Sequence, residues 1–90
     1  MVRLSLRKLA AQNRADYREH DPVRSAAHER ALDTIRDGTA QRAIRAGNIP
    51  AYLTSVPIAG RPDDIIVWEL IHEPEGDRAI ILWLGPLDPL

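Results

Sequence analysis

The sequence predicts an α+β fold in which an N-terminal helical hairpin packs on a small, mainly antiparallel sheet. Two apolar, β-branched runs, Ile65–Glu73 and Arg78–Gly85, flank the turn Pro74-Glu75-Gly76-Asp77, which is the pattern of a long hairpin. Ahead of them, apolar residues recur at helical spacing on both sides of an Asp21-Pro22 corner. The charge also changes hands: residues 1–47 carry ten Lys/Arg against six Asp/Glu, and residues 48–90 carry two against seven. A net charge of −1 therefore conceals a basic front and an acidic back.

Each element has its own justification. Val2, Leu4 and Leu6 alternate with Arg3, Ser5 and Arg7, the period of a half-buried strand. From Lys8 to His20, Leu9, Ala10, Asn13 and Tyr17 fall on one helical stripe, with Arg and Gln between them on a wet face. The helix stops at Asp21 because the residue before a proline is driven out of the helical region. Asp21 then serves as N-cap of a second helix with Pro22 in its first position. Its stripe runs Val23, Ala27, Ala31 and Ile35, flanked by Ala26, Leu32 and Thr34, and Gly38 closes it. Thr39 is read as the cap of a short third helix, Ala40–Ala46, ended by Gly47. Tyr52–Ile58 mixes β-formers with Pro57, which suits an edge strand or a bulge. Gly60-Arg61-Pro62-Asp63-Asp64 reads as a loop, and the prolines of residues 86–90 exclude regular structure there.

In a regular pairing, Ile66, Trp68, Leu70 and His72 share one face of the first hairpin strand, and Ile65, Val67, Glu69, Ile71 and Glu73 the other. In the second, Ile80, Leu82 and Leu84 oppose Ile81 and Trp83. Both faces are largely apolar, so the helices cover one and the other calls for a partner.

Ninety residues make one domain, close to the lower size at which a single core folds unaided. The absence of cysteine excludes disulfides and thiolate metal sites. Neither a signal-peptide pattern nor an apolar run of about 20 residues occurs, so a soluble, cytoplasmic protein is expected, with no membrane association. With no Phe, two Trp and two Tyr, the core must come from Leu, Ile, Val and Ala.

Sites are sparse. The three histidines, His20, His28 and His72, match no metal-ligand spacing and read as surface residues, so neither a metal nor a cofactor is expected. Serine elbows and glycine-rich phosphate loops are missing. One constellation offers chemistry. Arg61 and Arg78 supply cations for a scissile phosphate, and Glu69 and His72 supply a base and an acid, the minimum for cleaving RNA through its own 2′-hydroxyl. Arg42 and Arg45, three apart, add nucleic-acid contacts. Against this, Glu69 and His72 fall on opposite faces of a regular strand, and solvated arginines with a satisfied strand glutamate account for the same residues. Whether the protein is an enzyme stays open on these grounds.

The order strand, helix, Asp-Pro corner, helix, short helical segment, strand and long hairpin resembles the RelE/ParE superfamily of type II toxin–antitoxin toxins. The segment HDPVRSAAHERALDTIRDG is similar to that superfamily's second helix, and IIVWELIHEPEGDRAIILWLGP to its terminal hairpin, where a glycine closes the last strand as Gly85 does. The resemblance implies a toxin neutralised by a cognate antitoxin and acting on gyrase by protein contact or on ribosome-bound mRNA by cleavage. The cleaving members carry basic or aromatic residues just after the last strand, where this chain has Pro-Leu-Asp-Pro-Leu. A contrasting expectation is a non-enzymatic homodimer that buries the hairpin face about a two-fold axis.

Overall fold

The computed structural model describes residues 1–44 and 51–87. Strand β1 (Arg3–Leu6) leads into helices α1 (Lys8–His20) and α2 (Pro22–Asp37). Four strands follow: β2 (Ala43–Ile44), β3 (Tyr52–Ile58), β4 (Arg61–Ile71) and β5 (Arg78–Pro86). They form one five-stranded sheet of order β1-β5-β4-β3-β2, antiparallel except for β1, which runs parallel to β5 with Arg3 opposite Arg78 and Leu6 opposite Ile81. The helical hairpin lies on one face of this sheet, as expected for an α+β fold.

Local chemistry sets the helix boundaries. Asp21 leaves helical geometry, its N–H still donating to Tyr17 O at 2.8 Å, and its carboxylate accepts the Arg24 N–H at 3.2 Å. One residue thus ends α1 and caps α2. At the far end Gly38 adopts φ 78°, and the N–H groups of Gly38 and Thr39 return to Ile35 O and Thr34 O, satisfying carbonyls that would otherwise end the helix unpaired.

Ala10 and Tyr17 of α1, and Ala27, Ala31, Leu32 and Ile35 of α2, pack on Ile66, Trp68, Ala79, Ile81 and Leu84 of the central strands. The alanines matter because they bring the helix axes close to the sheet without a gap. Trp68 is fully buried, its indole N–H donating to Thr54 Oγ1 at 2.9 Å, and that hydroxyl in turn donates to Gln41 O.

Three expectations require correction. Ala43 and Ile44 pair with Leu53 and Tyr52 as a short strand, so the helix read over Ala40–Ala46 does not form there; residues 45 and 46 lie outside the described residues. A two-turn helix has little internal stability, and the β-ladder wins the same backbone groups. Arg61–Asp64 is strand rather than loop, because β3 and β4 turn at Ala59-Gly60 and Arg61 already pairs with Ile58. Pro57 sits at the register shift between Val56 and Ile58, on a stretch of β3 that β2 does not cover, which reconciles it with sheet structure.

The third correction concerns the faces of β5. Val67 pairs with Trp83 but Trp68 pairs with Ile81, leaving Leu82 as an inserted residue. Beyond this bulge the alternation is displaced: Ile81 and Leu84 both face the helices, while Leu82 and Trp83 both pack against the opposite cluster of Ala51, Ile65 and Val67. That outer face is therefore a second small core. Val67 is 1% and Ile65 8% exposed, whereas Leu9 and Val23, read as members of the helix stripes, are each 51% exposed. The bare apolar face that called for a partner is much reduced.

The last strand runs one residue past Gly85, to Pro86, which pairs with Asp64 although the prolines from residue 86 on are read as excluding regular structure, and Gly85 sits there under close constraint. A Cβ there would lie 2.9 Å from the Tyr17 hydroxyl and 3.0 Å from the Trp83 ring, so only glycine lets the end of β5 pass between them. No described helix is long and apolar enough to cross a membrane.

Candidate functional site

The residues singled out in the sequence do not assemble. Arg61 begins the eleven-residue β4 and Arg78 pairs with Ile71 at its other end, a separation of roughly 30 Å at the usual rise of a strand. Arg61 is held by Asp21, with Nη1 to Oδ2 at 2.6 Å and Nη2 to Oδ1 at 3.1 Å. That pairing draws the Asp21 carboxyl below its ordinary range. Glu69 lies mid-strand opposite Ile80, on the face away from the helices. His72 is exposed beyond the end of β4, and its Nδ1–H donates to Asp77 Oδ1 at 2.7 Å. Arg78 stands beside Glu73, Nε to Oε1 3.0 Å. Arg42 lies over the rings of Tyr52 and Trp68, 5.2 Å from each centroid, and Arg45 lies outside the described residues.

The most organised polar cluster was invisible in the sequence. Asp64, 2% exposed, accepts Arg24 Nε at 2.7 Å and Nη2 at 3.0 Å in a bidentate pair, and His28 Nε2–H at 2.7 Å. Tyr17 stacks on the cluster, its ring 5.3 Å from His28 and 4.8 Å from the Arg24 guanidinium. α2 presents Arg24 and His28 one turn apart on one face, and β4 delivers Asp64 from below. The histidine expected on the surface is thus 1% exposed. The available signal was the position of His28 beside Ala27 and one turn before Leu32, within the buried stripe of α2.

Electrostatics mark this cluster as a clamp rather than a catalyst. Both Asp64 oxygens are engaged, and the charges of Arg24 and Asp64 cancel. His28 Nδ1 is buried without a hydrogen-bond partner, which suits a neutral ring with its lone pair there. Protonation would bury an unpaired N–H, and burial accordingly pushes the His28 pKa down, against the pull of the Asp64 hydrogen bond. The same pairing raises Arg24, and burial raises Tyr17.

The sign of the pH dependence follows. A histidine whose folded pKa lies below its unfolded value of about 6.5 binds more protons unfolded, so it leaves stability intact above that pH and reduces it below. We expect unfolding free energy to fall as pH drops from about 6.5 towards the depressed folded value, and then to level off for this group. His28→Gln, which keeps a donor to Asp64 without a titrating ring, should flatten that decline in urea melts taken from pH 7 to 5. An unchanged slope would assign it to other groups.

One groove is also present. A cavity of about 470 Å³ lies between α2 and β3, lined by Ala27, Arg30, Thr34, Gln41, Thr54 and Ser55. Among the described residues neither Arg30 at its wall nor Arg42 beside Gln41 has an ion-pair partner, so the groove and its margin are basic. No group of three or more His, Cys, Asp or Glu capable of holding a metal occurs among the described residues. Neither a protein-family model nor a curated protein nor a solved structure matches the chain.

Proposed function

We propose that this protein is a RelE/ParE-like toxin of a type II toxin–antitoxin pair, cytoplasmic, neutralised by a cognate antitoxin and acting by protein contact of the gyrase-binding kind. The order of elements supports the reading: strand, two helices joined at an Asp-Pro corner, then a sheet built on a long C-terminal hairpin. The basic groove between α2 and β3 adds a surface suited to a protein partner.

The separation of the charged residues carries the choice of contact over mRNA cleavage. Arg61 and Arg78 stand at opposite ends of β4, each beside its own carboxylate, and Glu69 and His72 share no cation between them. Transition-state stabilisation of a phosphoryl centre needs cations and a proton-transfer group within hydrogen-bond reach of one another, and these four are not.

Induced expression should arrest growth, with relief on co-expression of an adjoining small reading frame. Purified protein should inhibit gyrase supercoiling and leave mRNA intact in translating extracts. Cleaved mRNA would overturn the contact mechanism, and harmless overexpression the toxin reading altogether. A stable dimer with no effect on growth would favour instead the homodimeric module, whose interface would be the half-buried Leu53, Leu82 and Trp83 on the outer face.

A further inference from the structure

A second cavity lies at the opposite end of the sheet from the helix–β3 groove. Its volume is about 320 Å³, and Ser5, Leu6, Arg7, Arg78 and Ile80 line it where β1 runs beside β5. β1 ends there and Arg7 passes straight into α1 without capping it by a side-chain hydrogen bond.

The donors in this cavity are not satisfied within the described residues. The Arg7 guanidinium and the Ser5 hydroxyl make no side-chain hydrogen bond or ion pair there. Arg78 Nε is buried with no hydrogen-bond acceptor; Glu73 Oε1 lies 3.0 Å away but is misaligned for the N–H. Glu73 also receives Arg3 Nη2 at 3.0 Å, so one carboxylate answers two guanidinium groups. Glu73 balances the charge of Arg78 without accepting its Nε–H, so the guanidinium keeps donor capacity that a ligand with several acceptor oxygens can use.

We propose that this cavity binds the phosphate group of a small phosphate monoester, independently of the toxin reading. Two guanidinium forks and a hydroxyl present more donors than a carboxylate with two oxygens can use, whereas a phosphate monoester offers three terminal oxygens and a matching charge. The volume sits at the lower end of small-molecule sites and holds a phosphate with a short carbon skeleton. Ile80 supplies an apolar side chain beside that skeleton, and no aromatic ring is among the residues that line the cavity to stack on a nucleobase.

The test is a titration of the full chain, followed by amide chemical shifts at ionic strength held constant with chloride, first with inorganic phosphate and then with glycerol 3-phosphate. Saturable shifts at Ser5, Leu6, Arg7 and Ile80 are expected, with glycerol 3-phosphate binding more tightly. Arg7→Gln, at an exposed site, should weaken binding about tenfold, as should Arg78→Gln. Shifts that grow linearly without saturating, or that persist unchanged in Arg7→Gln, would overturn the site. An oligoribonucleotide lacking a terminal phosphate that binds more than tenfold tighter than glycerol 3-phosphate would overturn the small-ligand assignment.

Discussion

Asp64→Ala should lower the unfolding free energy by about 3 kcal/mol, the low end of the cost of removing one partner from a buried ion pair. The low end applies because Arg24, with 27% of its side chain exposed, can turn towards water, while His28, 1% exposed, cannot. Arg24 then loses both of its charge-assisted bonds and His28 is left with a buried N–H donor. For a domain of this size the melting temperature should fall by roughly 12–24 °C. Asp64→Asn, which retains one acceptor oxygen at the same position, should lose less. The triple change Arg24→Met, His28→Leu, Asp64→Leu should recover much of the loss, since well-packed apolar groups replace buried ion pairs at little cost. Denaturant melts of the three variants decide the matter. A loss of under 1 kcal/mol for Asp64→Ala would mean that the clamp contributes nothing to stability.

Trp68→Ala should be of similar or greater effect, about 3–5 kcal/mol, from lost burial and the cavity left behind. The side chain is fully buried where α2, β3 and β4 meet, its indole N–H ends on Thr54 Oγ1, and Arg42 rests on its ring. Trp68→Phe keeps most of the ring and gives up the N–H bond, so its loss should be nearer 1–2 kcal/mol. Circular dichroism melts, which do not depend on the removed fluorophore, provide the comparison. Equal losses for the two variants would place the energy in the hydrogen bond rather than in packing.

The sequence made local decisions legible and left the long-range ones hidden. Asp21, Pro22 and Gly38 define both helices because capping and proline chemistry act within a few residues, and the ranges Lys8–His20 and Pro22–Asp37 match the reading. Ala43-Ile44 was misread because two residues carry no periodicity, and their ladder to Tyr52 and Leu53 exists only in the folded sheet. The polar string Arg61–Asp64 looks like a loop, yet it becomes strand because β3 turns at Gly60 and pairs with it. Face assignments held until Leu82, since a bulge announces itself in pairing rather than in composition. At the candidate site the limit is the same. Charged residue types were visible, but which of them meet was not: Asp64 finds His28 across 36 residues of chain, and Arg61 finds Asp21 across 40, while Arg61 and Arg78 end far apart.

The parallel ladder between β1 and β5 has a kinetic consequence. Arg3 and Arg78 become neighbours only after a loop of about 75 residues closes, and loop closure of that length must be met before the contact returns any energy. The β4–β5 hairpin and the α1–α2 pair can form from short-range contacts, and β1 is expected to join last. In a chevron experiment, alanine substitution at Leu4 or Leu6 should therefore accelerate unfolding while leaving the refolding rate almost unchanged, whereas substitution at Ile66 should slow refolding. β1 would then act as the latch on a structure already assembled, and its release as the first event when the fold comes apart.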